Sequence, residues 1–534
     1  MTAEIDARSL KAWLSDGSEI ALIDVREHGQ YGMGHLFFAV PLPYSRFELG
    51  LPALVPNLAV RLVLYDQGDG VAARAASRAQ ALGYRNLHIL AGGAEAWRQA
   101  GYTLFAGVNV PSKTFGELVE HARHTPRLSA RSVEAMREAG DNVVIVDGRP
   151  FSEYRRMNIP GGICCPNGEL VLRIKDIAPD PQTRIVVNCA GRTRSIIGAQ
   201  TLIDFGVANP VYALENGTQG WFLAGLELEH GASRRYSDQA GSADIGKLQA
   251  RARELAETRG VASVTAATAK AWRAETSRTT YLLDVRTAEE FAARAVPGFV
   301  HAPGGQLIQA TDQWVGVKGA RLVLADDELV RAPVVAGWLR QLGHEACVLE
   351  GGLAAAAALD WPRQVTPPDW SDPRPMAARE AADALDNGSV QLVDLRPSMI
   401  YRKGHIAQAI WSIRPRVVAA AAQRTQTIAL IADAPGVAAL AALDLGEAGW
   451  EDIRLLAGGH EAWRDAGLPV APTPDDPTDA DCIDFLFFVH DRHDGNAEAA
   501  RGYLAWETGL LDQLDEQERG TFRIVTGAHQ ASQS

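Results

Sequence analysis

The sequence predicts an α/β protein of four tandem domains, each a small parallel sheet flanked by helices, followed by a C-terminal α+β tail. Three observations support this fold class: an apolar run ending in Asp occurs four times, a second apolar run and an Ala-rich stretch follow each one, and a glycine turn closes each repeat. The chain has 534 residues, and at about 150 residues per domain this length corresponds to three or four domains.

The first element of each repeat is a short apolar run that ends in Asp and is followed two residues later by Arg. Short apolar runs bounded by polar turns are typical of buried strands. The runs IALIDVR, VVIVDGR, YLLDVR and LVDLR end at Arg26, Arg149, Arg286 and Arg396. Because the Asp–Arg pair, Asp147 and Arg149 included, occurs in every repeat, we interpret it as an ion pair that builds the domain rather than as catalytic machinery.

A second apolar strand follows in each repeat and leads into an Ala-rich helical stretch. We expect its last residue to be Asp66, Cys189, Asp326 and Asp433 in the four repeats. This residue lies 42 positions after the first Asp in three repeats and 39 positions after it in the fourth. Strands that alternate with helices predict parallel pairing through right-handed crossovers.

A third strand and a glycine turn complete the repeat, as in LAGGAEAW, LENGTQGW, LEGGLAAA and LAGGHEAW. Trp97, Trp221 and Trp463 each follow the last Gly of the turn by four residues, and Ala356 takes this place in the third repeat.

Stretches rich in Pro, Gly and polar residues mark the expected domain boundaries. They divide the chain into domains 1–107, 108–230, 261–367 and 368–472, a linker 231–260 and a tail 473–534. The linker contains a charged helical stretch, KLQARARELAETRG, which we interpret as a solvated connector. In the tail, DCIDFLFFVH predicts a strand and residues 497–518 have helical periodicity.

Composition excludes several classes of function. Lys and Arg number 52 against 65 Asp and Glu, a net charge of −13, which argues against nucleic acid or an anionic membrane as a partner. No run approaches the roughly 18 to 20 apolar residues of a membrane span, and the first residues lack a secretory pattern. Five cysteines are too few for a disulfide framework. These features predict a soluble cytoplasmic protein, and they leave self-association into a homo-oligomer open.

Cys189 is the strongest candidate for a catalytic residue. It ends the buried strand RIVVNC and begins the loop Ala190-Gly191-Arg192-Thr193-Arg194, which Ser195 and a helix follow. Ligand sites in α/β folds lie beyond the carboxyl ends of strands, and loop N–H groups at a helix N-terminus favour an anion. Arg192 and Arg194 add positive charge, which favours the nucleophilic thiolate. We therefore predict that Cys189 is catalytic and that residues 190–195 bind an anionic substrate.

The loops of the other three repeats lack the cysteine. These loops begin with Asp66, Asp326 and Asp433, and an aspartate does not supply the thiolate nucleophile that Cys189 supplies. The first and third loops are acidic, with two acids and three acids respectively. We expect these pockets to repel an anionic donor, so that one repeat is active and three are inactive. The inactive repeats are either structural or regulatory.

The motifs together resemble the rhodanese (sulfurtransferase) family, with four domains in tandem. The matching features are the D-V-R strand end, the G-H turns at Gly34-His35 and Gly404-His405, the loop C-A-G-R-T-R at 189–194 and the G-G-x-x-x-W turn. The resemblance covers about residues 1–472. It implies a central parallel sheet with the active loop at a strand end, and a Cys189 that carries a persulfide.

The resemblance implies a sulfurtransferase that moves sulfane sulfur from thiosulfate or a similar small anionic donor to cyanide or a thiol, without a metal or cofactor. One alternative is a sulfur-relay or scaffold protein that holds sulfur without turnover. Another is a rhodanese-fold phosphatase or arsenate reductase. Those phosphatases use C-x5-R, whereas Arg194 gives C-x4-R here, and the shorter loop favours reaction at sulfur.

Weaker candidates remain elsewhere. Cys164 and Cys165 could act as resolving thiols, although two buried small apolar side chains explain them better. Arg173 and Lys175 could help to bind an anion or could face solvent. The residues His490, Asp491, His493 and Asp494 lack recognisable zinc spacing, so a polar loop is favoured. His35 and His405 occur only in repeats without the cysteine, and we assign them no catalytic role.

Overall fold

A computed structural model describes residues 2–237, 244–361, 370, 372–421, 426–434, 436–493 and 495–526. Within these residues the chain forms four five-stranded parallel sheets, and each has the strand order first, fifth, fourth, second, third. Helices flank each sheet. The α/β prediction of four tandem domains is therefore confirmed.

The second domain contains the predicted active loop. Its strands are Arg127–Leu128, Val143–Asp147, Ile163–Cys164, Arg184–Asn188 and Val211–Leu214. Its helices are Ala130–Glu138, Phe151–Arg156, Leu170–Ile177, Thr193–Phe205 and Gly217–Leu223. A further helix, Val110–Arg123, precedes these elements and is called the connecting helix below.

The first and third domains repeat this pattern. Strands of the first are Ala3–Ile5, Ile20–Asp24, Val40–Pro41, Arg61–Tyr65 and Leu87–Leu90; its helices are Ala7–Trp13, His28–Met33, Phe47–Leu54, Val71–Ala81 and Gly93–Gln99. Strands of the third are Ala262–Val264, Thr280–Asp284, Val300–His301, Arg321–Ala325 and Glu345–Leu349; its helices are Ala266–Ala274, Ala288–Ala293, Gly304–Gln309, Arg331–Gln341 and Gly352–Ala357.

The fourth domain adds a small antiparallel pair to the common pattern. Its parallel strands are Arg374–Met376, Val390–Asp394, Ile410–Trp411, Thr427–Ile431 and Ile453–Leu456; its helices are Ala378–Asp386, Ser398–Lys403, Val417–Ala420, Val437–Glu447 and Gly459–Asp465. The antiparallel pair joins His405–Ile406 to Val470–Ala471. The expected boundary near residue 367 lies outside the described residues.

The recurring Asp–Arg pair forms a buried ion pair in all four domains. The closest Arg nitrogen lies 2.6 to 2.7 Å from the Asp carboxylate in each case. The same guanidinium donates to the carbonyl oxygen eight residues further along, which is that of Met157 in the second domain. The pair thus joins the strand end to the following helix, in agreement with a domain-building role.

The register of the fourth sheet corrects one prediction. The residue opposite the first-strand Asp is Tyr65, Asn188, Ala325 and Ile431 in the four domains. The next residue is therefore Ala432, not Asp433, at the position of Cys189. The fourth repeat is shorter between these two strands, so counting to the nearest acidic residue missed the strand end by one.

Two other local predictions also change. The linker helix, Ile245–Thr258, buries Ala252 and Leu255 between the second and third domains, so it is not a solvated connector. In the tail, residues 481–490 form no strand; Phe487–His490 is a helical turn. The Ile483 carbonyl oxygen instead accepts hydrogen bonds from Gly29 and Gln30, because the segment packs on a helix N-terminus and not on a sheet edge. The remaining tail helices are Ala497–Thr508, called the tail helix below, and Glu516–Arg519.

The domains associate in pairs that use equivalent surfaces. Gly168 and Gly305 each lie 21 residues after the first-strand Asp, and their backbones meet so closely that a Cβ on either one would lie under 3.0 Å from the other's nitrogen. Arg331 of the third domain likewise binds Glu169 of the second at 3.0 Å, while Arg194 donates to Gln306 at 3.4 Å. This reciprocity is the signature of a pseudo-two-fold axis.

The first and fourth domains pair around Tyr44 and Arg414, which also occupy equivalent positions. The Arg414 guanidinium lies 4.2 Å from the centre of the Tyr44 ring and binds the buried carboxylates of Glu48 and Asp444. One apolar core runs through the first three domains, whereas the fourth has separate cores. Among the described residues, no helix combines the length and apolar character needed to cross a membrane.

Candidate active site

Cys189 lies at the end of the central strand Arg184–Asn188, in a loop that leads directly into the helix Thr193–Phe205. Its side chain is 2% exposed. The Sγ atom lies 3.5 Å from Ser195 Oγ, and that hydroxyl donates to the Arg192 carbonyl oxygen at 2.8 Å. Strand, loop and helix thus hold the sulfur in the place that the sequence predicts.

The glycine turn fixes the outer side of this loop. Thr218 N donates to the Cys189 carbonyl oxygen at 2.8 Å, and Gln219 N donates to that of Ala190 at 3.1 Å. Gly217 has a φ of +54°, and a Cβ there would lie 2.3 Å from the Cys189 carbonyl oxygen. Only glycine combines this conformation with this close approach. The loop carbonyls are therefore turned toward the helix Gly217–Leu223.

Arg192 does not present a free charge to the sulfur. Its guanidinium forms a bidentate pair with Glu117 of the connecting helix at 2.7 and 2.8 Å. It also binds Glu120 and donates to Asn216 at 3.2 Å. The sequence predicted that Arg192 places positive charge beside the thiol, but the guanidinium is paired with two carboxylates from a distant segment. Burial raises the pKa of Glu117 in spite of the arginine.

Arg194 is also paired, but it remains electrostatically coupled to the cysteine. It forms two 2.8 Å hydrogen bonds to Glu153. Burial would raise the pKa of Glu153, yet Arg194 lowers it to about 2. Burial by itself would lower the pKa of Arg194. The pKa is raised instead, because Glu153 and the nearby Cys189 both favour the charged guanidinium.

In the corresponding loops of the first and third domains, an aspartate side chain occupies the loop N–H groups. The Asp66 carboxylate accepts hydrogen bonds from Gly68 N at 2.8 Å and Ala72 N at 2.9 Å. The Asp326 carboxylate accepts from Val330 N at 3.1 Å and Arg331 N at 2.9 Å. An internal anion thus fills the backbone cradle in these domains. The sequence predicted charge repulsion in these loops; the structure shows that the aspartate side chains themselves occupy the loop N–H groups.

A cavity of about 430 Å³ opens beside Cys189 and is shared by several parts of the chain. All of the loop residues from Cys189 to Arg194 line it, and Ser195 lies behind them. The third domain contributes Gln306 and Gln313. The tail contributes Tyr503 and Glu507, and Glu507 accepts hydrogen bonds from Thr193 Oγ1 at 3.1 Å and Lys113 Nζ at 2.9 Å.

A family model of the rhodanese-like domain matches four segments of the chain, residues 6–100, 129–224, 265–358 and 377–466. Together these segments cover more than half of its length.

The chain belongs to the rhodanese family.

A solved thiosulfate sulfurtransferase from Pseudomonas aeruginosa is similar over nearly the whole molecule. The match has a TM-score of 0.89 and 42% sequence identity, and it covers 98% of this chain and 100% of that one. A segment of 102 residues is also 35% identical to the HTH-type transcriptional regulator Rv0324 of Mycobacterium tuberculosis (strain ATCC 25618 / H37Rv). That segment is 19% of this chain and spans 44% of the regulator's length.

The other cysteines lie apart from the rhodanese active loop. Cys164 and Cys165 are at most 1% exposed and do not line the cavity. Burial raises the pKa of Cys164 to about 12 and raises that of Cys165 well above the ordinary value of a thiol. These properties indicate that Cys164 and Cys165 act as buried apolar side chains rather than as resolving thiols.

Most of the remaining candidates lie away from the cavity beside Cys189. Arg173 pairs with Glu169 inside the protein, and the exposed Lys175 binds Asp244. His35 and His405 are buried and stack on Tyr31 and Tyr401. His490 does line the cavity, whereas Asp494 and the His493 side chain lie outside what the structure describes. In the described part of the chain, no three His, Cys, Asp or Glu side chains are grouped to hold a metal.

Sequence analysis missed the carboxylates that surround the rhodanese loop. Glu117, Glu153 and Glu507 come from the connecting helix, an early helix of the second domain and the tail helix. The tail resembles no repeat, so the sequence contained no signal that Glu507 reaches Cys189's cavity. For Glu153, the recurrence of Glu290 at the matching position of the third domain, where it binds Arg331 at 2.6 Å, was an available signal.

Proposed function

We propose that this chain is a thiosulfate sulfurtransferase that works through a Cys189 persulfide in its second domain. The carrying observation is the buried Cys189 in a loop that leads into a helix N-terminus and opens to a cavity, whereas aspartate side chains occupy the equivalent loops of two sister domains. The similarity to the Pseudomonas aeruginosa sulfurtransferase supports the same assignment.

In the first half-reaction the Cys189 thiolate attacks the outer sulfur of thiosulfate. A sulfur–sulfur bond forms to Cys189, the donor's own sulfur–sulfur bond breaks, and sulfite leaves with the electron pair. Loop N–H groups and Arg194 stabilise the negative charge on the transferred sulfur. The Arg194–Glu153 pair keeps this guanidinium oriented.

In the second half-reaction a small nucleophile enters the cavity and removes the outer sulfur. Cyanide gives thiocyanate, and a thiol gives a new persulfide. In both cases the Cys189 thiolate returns, so the kinetics are ping-pong. No metal or organic cofactor takes part in the proposed cycle, nor does a nucleic acid or a membrane. We propose that it operates in the cytoplasm.

The test is steady-state thiocyanate formation from thiosulfate and cyanide, together with the intact mass after thiosulfate alone. We expect the native protein to turn over and to become heavier by one sulfur atom. Cys189→Ser should do neither while remaining folded, because a hydroxyl cannot form the persulfide. Cys347→Ala, which removes a buried thiol of the third domain, is the matched control and should keep activity.

A sulfur-relay role is the alternative that this experiment separates. Stable gain of one sulfur atom without thiocyanate formation would favour the relay. Absence of both would contradict any persulfide function for Cys189. The closure of the cavity by the tail favours small acceptors over a protein acceptor.

A further inference from the structure

The cavity beside Cys189 has a second half, which the tail builds opposite the active loop. Arg492, Tyr503 and Glu507 belong to this tail surface. The cavity volume of about 430 Å³ lies in the range of pockets that hold an organic ligand, which extends from about 300 Å³ upward. The site is therefore large enough for an acceptor with several functional groups beyond its sulfur.

Glu507 offers this half of the cavity an unused hydrogen-bond acceptor. Its Oε1 atom is bound by Lys113 and Thr193. Its side chain is only 1% exposed. The Oε2 atom is nevertheless without a hydrogen-bond partner among the described residues. A Cβ placed on Gly191 of the active loop would lie 2.8 Å from this oxygen, so Oε2 faces the catalytic loop.

The chemistry of this carboxylate indicates a cationic partner. Burial would raise its pKa, but Lys113 and Arg492 lower it below the ordinary value, so the group is ionised at neutral pH. Ionised oxygens form their strongest hydrogen bonds with charged donors. The Lys113 ammonium on Oε1 shows that this carboxylate binds an ammonium in this position, and an equivalent place on Oε2 remains.

Basic side chains also line the same cavity, namely His28, Arg156, His490 and Arg492. Burial lowers the pKa of both histidines, so the two arginines supply the positive charge. The Arg492 guanidinium lies 3.5 Å from the centre of the Tyr503 ring, which holds it on the tail helix. A carboxylate on the ligand would find its complement in this group.

We propose that the sulfur acceptor is a small thiol bearing both an ammonium and a carboxylate, the ammonium bound by Glu507 and the carboxylate by Arg492. This inference rests on the proposed sulfurtransferase function, and it assigns the tail a role in acceptor specificity.

The transfer itself balances without a further reactant. The acceptor thiol releases its proton to solvent, and its thiolate sulfur bonds to the outer sulfur of the Cys189 persulfide. The Cys189 sulfur–sulfur bond breaks, and its electron pair returns to Cys189 as the thiolate. The acceptor leaves as a persulfide.

The test compares four acceptors in steady-state assays with saturating thiosulfate. L-cysteine carries both groups, N-acetyl-L-cysteine only the carboxylate, L-cysteine methyl ester only the ammonium, and 2-mercaptoethanol neither. Rates are expressed as kcat/KM per thiolate concentration, to remove differences in thiol acidity. We expect cysteine to exceed each singly charged acceptor by about tenfold or more, the size of a charge-assisted hydrogen bond.

Variants assign the two contacts. Glu507→Gln should remove most of the preference for cysteine over N-acetyl-L-cysteine, and Arg492→Gln most of the preference for cysteine over its methyl ester. Glu498→Gln, an exposed residue of the same tail helix, is the matched control and should keep both preferences. Because each readout is a ratio of two acceptors, a general loss of activity does not imitate the result.

The outcomes separate the two proposals. Turnover with cyanide but equal rates for cysteine and N-acetyl-L-cysteine in the native protein would overturn the inference and leave the sulfurtransferase intact. This comparison needs no variant, so it holds even if Glu507→Gln does not fold. A preference that persists in folded Glu507→Gln would equally overturn it. Absence of turnover with every acceptor, cyanide included, would overturn both.

Discussion

The charges around Cys189 are set by residues that pair before any substrate binds. Arg192 is bound by Glu117 and Glu120, and Arg194 by Glu153. The two arginines nevertheless differ, because Cys189 is among the groups that favour the charged form of Arg194, while Arg192 links the loop to the connecting helix. Their substitution should therefore have different consequences.

We expect Arg194→Ala to lower kcat/KM for thiosulfate by about 10- to 150-fold, the value of one charged hydrogen bond. Arg192→Ala should instead lower the free energy of unfolding by about 3–5 kcal/mol, because it leaves the buried carboxylate of Glu117 unpaired. Chemical denaturation and thiosulfate kinetics on both variants measure this division. Equal effects of the two substitutions on activity and stability would contradict it.

The five thiols should differ sharply in their reaction with iodoacetamide. Burial raises the pKa of Cys164 and of Cys347 to about 12, so at pH 8 only about one molecule in ten thousand carries either thiolate. Their labelling rate should rise tenfold per pH unit up to that pKa. Cys189 lines the cavity, and we expect it to be labelled first. Peptide mass analysis after brief native labelling checks the order; Cys164 labelled as fast as Cys189 at pH 8 would refute it.

At the scale of elements, the active loop depends on a helix that begins 28 residues after the cysteine. The first N–H groups of Gly217–Leu223 bind the loop carbonyls, so this helix positions the loop without contacting a substrate. The same contact of a turn glycine with the loop carbonyl recurs at Gly93 and Gly352. It is a property of the domain pattern and not of catalysis.

Gly217→Ala should therefore damage the loop. The left-handed φ costs an alanine about 1–2 kcal/mol, and its Cβ would also meet the Cys189 carbonyl oxygen at 2.3 Å, which forces the loop to move. Gly140→Ala is the control, since Gly140 has a φ of +72° and open space around it. Both variants should lose stability, but only Gly217→Ala should lose sulfur transfer by tenfold or more. Equal activity of the two would show that the loop tolerates the shift.

At the scale of the whole molecule, the four domains form two pseudo-symmetric pairs. The second and third domains meet at Gly168 and Gly305, and the first and fourth meet at Tyr44 and Arg414. The tail then closes the cavity that lies between the second and third domains. The third domain, whose equivalent loop begins with Asp326, thus supplies part of the wall of the cavity beside Cys189.

The glycine contact should appear as coupling in a double-mutant cycle. Gly168→Ala and Gly305→Ala should each cost about 1–3 kcal/mol by overpacking, and the double variant should cost clearly less than their sum, because either substitution already separates the two backbones. Gly446→Ala, with open space around it, should be neutral or stabilising. Thermal and denaturant unfolding measure the cycle; additive losses would contradict a shared contact.

The sequence by itself determined the four α/β domains, the Asp–Arg ion pairs and the place of Cys189. Each of these features depends on residues that lie close together in the chain. Strand periodicity, turn glycines and a fixed spacing are therefore sufficient to predict them. The equivalence of Ala432, rather than Asp433, to Cys189 was not predicted, because register is set by pairing with a neighbouring strand.

Tertiary structure alone decided what surrounds the sulfur. Glu117 and Glu507 lie 72 and 318 residues from Cys189, and their contacts with the loop arise from the packing of the connecting helix and the tail helix. The spacing that reveals a repeat holds no information about such contacts, since the tail has no counterpart in the repeats. The candidate nucleophile could therefore be predicted from the sequence. The charges around it and the shape of its cavity are determined by the packing of segments that lie far apart in the chain.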